Sequence, residues 1–452
     1  VLPLPNHVFR EYDIRGIFGK EISLDFAYRL GLAYAFFLKD ASKGPVVVGR
    51  DVRISGPDLQ AALVRGLVTG GCNVVDIGMV PTPLAYFAVH QLGASGCIVI
   101  TGSHNPPDYN GFKMMRGLDS LHGEDIRTLR RIMQQKLPPS ATTGQIRHLD
   151  TITTYEDFVQ RDIFLARPLK VVIDAGNGAA GPVAWPIYQR LGCEVTKLYC
   201  EPDGHFPNHH PDPTVVENLN DLSRTVRKQG ADLGIAFDGD GDRIGVVDEK
   251  GAVIWGDMLL LLLSRYLLKE HPGATIISEV KCSQHMYDDI AAHGGNAIMW
   301  RTGHSPIKAK MKETGALLAG EMSGHIFFAD RYFGHDDAIY AGARLLEVIA
   351  DQNQPVSRIF EDLPQTITTP EIRVDCPDQK KFDVIEEAKA HFGSLGYEII
   401  DIDGMRLKFR DGWALLRASN TQPSLVLRFE APNETRLNEM RNMLEDWLKE
   451  RL

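Results

Sequence analysis

One pattern occurs three times along this 452-residue chain, and it limits the fold more than any other feature. A β-branched run leads into a polar loop, an amphipathic segment follows, a glycine closes it, and a second apolar run returns. The copies occupy residues 45–78, 169–199 and 274–303. Strand, helix and strand in that order read as a right-handed βαβ unit of a parallel sheet. The closing glycines, Gly70/Gly71, Gly192 and Gly294/Gly295, suit left-handed helix C-caps. After each unit comes one more apolar strand running into a loop of functional groups: SGCIVI-TGSHNP at 95–106, ADLGIAF-DGDGDR at 231–243 and GALLA-GEMSGH at 315–325. From about Ile367 the character changes to several short strands and a terminal amphipathic helix. The expected fold class is therefore α/β: three similar α/β domains with mixed sheets, then a smaller C-terminal α+β domain. The expected boundaries are 1–149, 150–252, 253–365 and 366–452.

Composition narrows the function. Acidic residues outnumber basic ones by 59 − 49, a net charge of −10. Such a surface repels phosphate backbones, so general nucleic-acid binding is not expected, although small anions can still be met by local cations. The longest apolar run of note, residues 258–263, is far short of the about 20 residues that span a bilayer, and reads as a buried helix face. Pro3, Pro5, Glu11 and Asp13 stand where a signal peptide needs an apolar core. Six cysteines without a CxxC pair suggest reduced thiols. The expectation is a cytoplasmic enzyme, with His7, His205 and His293 as surface or packing residues.

Asp238, Asp240 and Asp242 alternate with glycines between two apolar strands. Three carboxylates crowded into one turn repel each other unless a hard divalent cation joins them, and Mg²⁺ suits a site shared with phosphate. An EF-hand is rejected, because Arg243 stands where that loop needs glycine and the flanks are strands. Ser103, between Gly102 and His104, follows a buried strand, and serine needs a base or a cation to carry a phosphoryl group. No G-x-S-x-G elbow occurs in the chain. Glu321 and Ser323, two residues apart in extended backbone, would point the same way and suit vicinal sugar hydroxyls. Arg417, Ser419, Asn420 and Thr421 form a small-anion cradle. A competing signal is Gly176-Asn177-Gly178-Ala179-Ala180-Gly181, a G-x-G-x-x-G match with Glu201 ending the next strand. It supports an NAD-dependent oxidoreductase as the alternative, but the same unit recurs twice without those glycines.

TGSHNP, DGDGDR, GEMSGH and RASNT in this order resemble the α-D-phosphohexomutase family, and within it the bacterial bifunctional phosphomannomutase/phosphoglucomutase branch. The resemblance spans the chain and implies four domains around a central active-site cleft. It implies that Ser103 carries a phosphoryl group and that Asp238, Asp240 and Asp242 bind Mg²⁺ with an oxygen of the Ser103 phosphate. Arg15, Lys113 and Arg243 would neutralise charge, and His104 and Lys113 are candidates for moving the hydroxyl proton. Glu321 and Ser323 would hold sugar hydroxyls, Arg417, Ser419, Asn420 and Thr421 the non-reacting phosphate, and Tyr12, Lys281 and His304 would line the cleft. Met322 stands where phosphoglucosamine mutases usually carry Gln, which speaks against an amino sugar. Glucose 1,6-bisphosphate is the implied activator and intermediate. The expected partners are small-molecule sugar phosphates, with no nucleic acid and no membrane, acting on a monomer whose fourth domain closes over the cleft.

Overall fold

A computed structural model describes residues 4–38, 44–419 and 423–452. The repeat of the sequence is a repeat of topology. In the first domain strands Val46–Arg50 and Val74–Met79 are joined through helix Gly56–Thr69, and helix Thr82–Leu92 leads on to strand Gly96–Ile100. These three strands are parallel, and Tyr109–Arg116 returns antiparallel beside Gly96–Ile100. The second domain repeats this with Lys170–Asp174, Glu194–Leu198, Leu233–Phe237 and an antiparallel Ile244–Asp248. The third does so with Thr275–Glu279, Asn296–Trp300, Leu318–Gly320 and an antiparallel Ile326–Phe328. All three sheets are mixed, as the patterning implied. The second sheet also takes in Val253–Ile254, paired with Val246 and Val247 beyond the expected boundary at 252.

Gly96–Ile100 and Leu233–Phe237 are buried along their whole length. Strands covered by helices on both faces carry continuous apolar sequence, which is why these runs do not alternate. Of the expected C-cap glycines, Gly71, Gly192 and Gly294 have positive φ, whereas Gly70 remains right-handed at −76°. Helix Gly256–Glu270 buries all of Leu259 to Leu263.

The fourth domain is a purely antiparallel sheet in the order Ile367–Thr368, Ser424–Ala431, Gly412–Ala418, Met405–Phe409, Glu398–Ile400, with Ile372–Asp375 also on Ser424–Ala431. Helices Lys381–Ser394 and Glu434–Lys449 pack on it and form a core of their own, while one large cluster joins the first three domains. No described helix is long and apolar enough to cross a membrane, and all six cysteines are free.

Candidate active site

Each of the three repeats delivers its loop from the C-terminal end of its third parallel strand, where open α/β sheets place ligands. Gly96–Ile100 feeds the serine loop. Ser103 is buried and sits in the left-handed region with φ +49°, although it is not glycine. Its Oγ donates to Asp238 Oδ2 at 2.8 Å and lies 3.1 Å from His104 Nδ1. Burial, reinforced by the charges of Arg243, Arg15 and Lys113, pushes the His104 pKa well below the ordinary imidazole value. The neighbouring antiparallel strand places Lys113 opposite Val99.

Leu233–Phe237 feeds the acidic turn, where Asp238, Asp240 and Asp242 are all fully buried. Their carboxylate oxygens lie within 4.8 Å of one another. Asp238 Oδ1 accepts from the backbone amides of Asp242 at 3.1 Å and Arg243 at 3.2 Å. Asp240 Oδ2 accepts from Thr82 Oγ1 at 2.6 Å and Lys113 Nζ at 2.8 Å, and Lys113 also pairs with Asp242. Burial, together with the charges of Asp240 and Asp242, holds the Asp238 carboxyl well above its ordinary pKa. Asp240 is equally buried, yet Lys113 pulls its pKa below the usual value. Asp240 Oδ1 and Asp242 Oδ1 have no hydrogen-bond partner among the described residues. Buried carboxylate oxygens left unpaired are costly, and here they stand beside a serine oxygen that could join them around one ion. The donor set is all hard oxygen, so the residues fit a divalent Mg²⁺.

The cleft in front of Ser103 has a volume of about 460 Å³ and is lined by all four domains. The first contributes Tyr12, Arg15, Ser103, His104 and Lys113, and the second Arg243. The third adds Lys281, His304, Glu321 and Ser323, and the fourth Arg417 and Ser419. Asn420 and Thr421 lie outside the described residues. Arg15 is held by Asn105 and Asp13 at 2.5 Å each. Tyr12 donates to the carbonyl of Thr302 at 2.9 Å. Arg417 Nε donates to Asp403 Oδ2 at 3.1 Å, and the same oxygen accepts from the Thr302 amide at 3.0 Å.

Comparison with known proteins agrees with this plan. Four family models cover the chain: "Phosphoglucomutase/phosphomannomutase, alpha/beta/alpha domain I" over residues 6–136, domain II over 147–251, domain III over 255–367, and the C-terminal domain over 371–446. The chain belongs to the phosphoglucomutase/phosphomannomutase family. It is accordingly an enzyme of the isomerase class. A phosphomannomutase/phosphoglucomutase of Pseudomonas aeruginosa is 47% identical over 449 residues, covering 99% of this chain and 96% of the relative. A phosphoglucomutase of Neisseria gonorrhoeae is 49% identical over 442 residues, covering 96% and 95%. Among solved structures, a phosphoglucomutase/phosphomannomutase family protein of Burkholderia thailandensis superposes with a TM-score of 0.92 at 44% identity, covering 99% of this chain and 98% of that one.

One expectation about this family member changes, and one alternative falls away. Residues 321–324 are a tight turn rather than extended backbone, since the Gly324 amide donates to the Glu321 carbonyl at 3.0 Å. Gly324 has φ +92°, and a Cβ there would lie 2.2 Å from the Ile244 carbonyl oxygen, so only glycine fits. Glu321 and Ser323 still face the cleft, with Glu321 Oε1 fixed by the Gly303 amide at 2.6 Å. The glycine motif at 176–181 has a packing role. The Ala179 amide donates to the Gly239 carbonyl at 3.0 Å, and a Cβ on Gly178 would lie 2.8 Å from that oxygen. An amide that a dinucleotide pyrophosphate would need is spent on the acidic turn, and the oxidoreductase alternative is left without support.

Sequence reasoning missed several residues of this cleft. His325 lies inside the quoted GEMSGH motif and accepts from Arg243 Nε at 3.0 Å, while its Nδ1 stands 3.1 Å from Asp336 Oδ2. Arg10, Asp212, Trp255, Glu371 and Arg373 also line the space. Arg10 belongs to the same short segment as Tyr12 and Arg15, a density of functional groups that could have marked it. Nothing in the local sequence around Trp255 or Arg373 points to the cleft.

Proposed function

We propose that this chain interconverts hexose 1-phosphates and hexose 6-phosphates of the glucose and mannose series through a phosphoserine at 103. The observation that carries the reading is the Ser103 Oγ: buried, 2.8 Å from Asp238, backed by two unpartnered carboxylate oxygens, and opening on a cleft with cations from all four domains. The phosphoryl group passes from Ser103 Oγ to the free hydroxyl of the bound sugar phosphate. The P–Oγ bond breaks, a bond from phosphorus to the sugar oxygen forms, and the hydroxyl proton leaves to a base. The resulting hexose 1,6-bisphosphate turns by half a revolution inside the cleft and returns its other phosphate to Ser103. Phosphoryl transfer needs mainly positioning and charge neutralisation. Arg15, Lys113 and Arg243 supply positive charge near Oγ. Of the two candidates for moving the proton, His104, kept neutral by burial, would accept it from the sugar hydroxyl, and Lys113, held as an ammonium by Asp240 and Asp242, would be the donor to the departing Ser103 Oγ. Asp238, Asp240 and Asp242 would hold Mg²⁺, which when bound neutralises charge on the phosphoryl oxygens.

Glu321 and Ser323 would bind the O3 and O4 hydroxyls, which glucose and mannose share. C2, where the sugars differ, is left unread, so both series are accepted. Arg417, Ser419, Asn420 and Thr421 would take the phosphate that is not reacting, with Tyr12, Lys281 and His304 completing the wall. The fourth domain, with its separate core, is the element expected to close over the bisphosphate.

Intact-protein mass spectrometry tests this directly. A fraction of the protein should be heavier by one phosphate, and Ser103→Ala should lose that fraction together with about 10³-fold or more of turnover on glucose 1-phosphate and mannose 1-phosphate. Full turnover by Ser103→Ala with bisphosphate activator would remove the serine from the reaction, and binding of sugar phosphate without turnover by the unmutated protein would favour a sensor.

A further inference from the structure

Beneath the serine loop lies a guanidinium that the reaction above does not use. Arg53 sits in the bend between strand Val46–Arg50 and helix Gly56–Thr69, and its side chain is fully buried. An arginine has five N–H donors in a rigid fork, and here all five are engaged. Nε donates to Asp51 Oδ2 at 3.2 Å. Nη1 donates to the carbonyls of Pro106 at 2.5 Å and Tyr109 at 2.7 Å. Nη2 donates to those of Ser103 at 2.8 Å and Asn105 at 2.5 Å. Four of the five acceptors are therefore main-chain carbonyls of one short segment, the loop that carries the serine.

Asp51, also fully buried, holds the other side of the same loop. Its Oδ2 accepts from Thr101 Oγ1 at 2.8 Å and from the Gly102 amide at 3.2 Å. Thr101 Oγ1 in turn accepts from the Ser103 amide at 2.7 Å. Gly102 is required by this contact rather than by its own φ, because a Cβ there would lie 2.4 Å from Arg53 Cζ. The second domain seals the pair from outside, with the Phe206 ring centroid 5.4 Å from the guanidinium carbon.

A non-glycine residue in the left-handed region persists only where its surroundings over-determine it. At Ser103 the carbonyl is tied to Arg53 directly and the amide to Thr101, whose hydroxyl donates to Asp51, so both ends of the strained residue are fixed through the buried pair. We propose that Arg53, seated on Asp51, is the positioning residue that holds the serine loop in this conformation and so aims Ser103 Oγ at the acidic turn and the cleft. The inference rests on the phosphoserine reading. It adds a requirement for geometry that a lysine cannot meet, since an ammonium has three donors and no planar fork.

The test uses the full-length protein with Arg53→Lys and Thr101→Val, and Ser103→Ala as the reference. Arg53→Lys keeps the charge and loses the fork, and a reacting atom misplaced by about 1 Å costs about 100-fold in rate. The expected result is a fall in kcat of about that size, with KM for glucose 1-phosphate within about threefold because Glu321, Ser323 and Arg417, proposed to hold the sugar and its phosphate, lie in the third and fourth domains. Uptake of phosphate from glucose 1,6-bisphosphate, followed by intact mass, should slow in parallel. Thr101→Val should shift the same quantities in the same direction by a smaller factor. If Arg53→Lys does not fold, judged by near-ultraviolet circular dichroism, Thr101→Val decides alone. Folded variants with unaltered kcat and phosphate uptake, or with an effect confined to KM, would overturn the inference while Ser103→Ala stayed inactive. Should Ser103→Ala itself take up phosphate and turn over normally, the phosphoserine reading would fall, and the clamp with it.

Discussion

At the scale of single residues, Lys113 shows how a site built for charge is kept folded. It lies between Asp240 and Asp242, fully enclosed, and their carboxylates hold its ammonium well above the ordinary lysine pKa against the effect of burial. Removing one partner of a buried ion pair costs about 3–5 kcal/mol, because the remaining charge has no compensation. Lys113→Met should therefore lower the unfolding free energy by that order in metal-free buffer, measured by denaturant titration. Added Mg²⁺ should recover more stability in the variant than in the unmodified protein, since the ion takes over neutralisation of the carboxylates. Equal Mg²⁺ effects in the two proteins would contradict this account. The three aspartates were legible in the sequence as a cluster because their alternation with glycine crowds three carboxylates into one turn. Their partner was legible as a basic residue of the NGFK segment, but its pairing with residues more than a hundred positions away was not.

At the scale of elements, each of the three third strands ends in one loop of the cleft, and neighbouring segments brace those loops. The loop at 176–181 illustrates this. Its close approach to Gly239 leaves no room for a side chain at Gly178. Overpacking of that kind costs about 1–3 kcal/mol and displaces the neighbouring backbone. Gly178→Ala should therefore weaken Mg²⁺ binding, read as the metal concentration giving half-maximal turnover, while NADH binds neither protein. Unchanged metal dependence would show that the loop does not brace the turn. The glycine pattern could not be assigned from sequence, because the same three glycines serve a pyrophosphate in one context and a neighbouring backbone in another. Likewise, residues 321–324 alternate in a way that suits an extended strand, but the Gly324 amide bonds back to the Glu321 carbonyl and the Ile244 backbone packs against Gly324, contacts the local sequence does not announce.

At the scale of the whole molecule, the fourth domain has its own core and meets the third through a small apolar cluster, Val280 against Trp413 and Leu415, flanked by polar contacts. Arg406 donates to the carbonyls of Val280 at 2.6 Å and Cys282 at 2.9 Å, and Lys281 pairs with Glu371 at 2.6 Å. The Lys281 charge holds the Glu371 carboxyl down at about 2, from an ordinary 4.5. A carboxyl depressed in the folded state binds fewer protons than the unfolded chain, so its stabilisation is present above about pH 4.5 and is lost as pH falls toward about 2. Glu371→Gln should remove up to about 3 kcal/mol near neutral pH. The gap between the two proteins, followed by denaturant titration from neutral pH downward, should close across that acid window. A gap independent of pH would mean that the ion pair does not stabilise the docked domain. What the sequence by itself determined is whatever is local in the chain: three βαβ units, a differing last domain, and the loops of polar and charged groups at the ends of their strands. These follow from periodicity, turn residues and charge spacing, all of which act over a few residues. The tertiary structure alone decided which groups meet. Arg53 lies fifty residues from Ser103, and the serine belongs to one domain and the aspartates to another. Such contacts arise only when separate apolar faces bury one another, and burial leaves no mark on the local sequence of a charged residue that ends up inside.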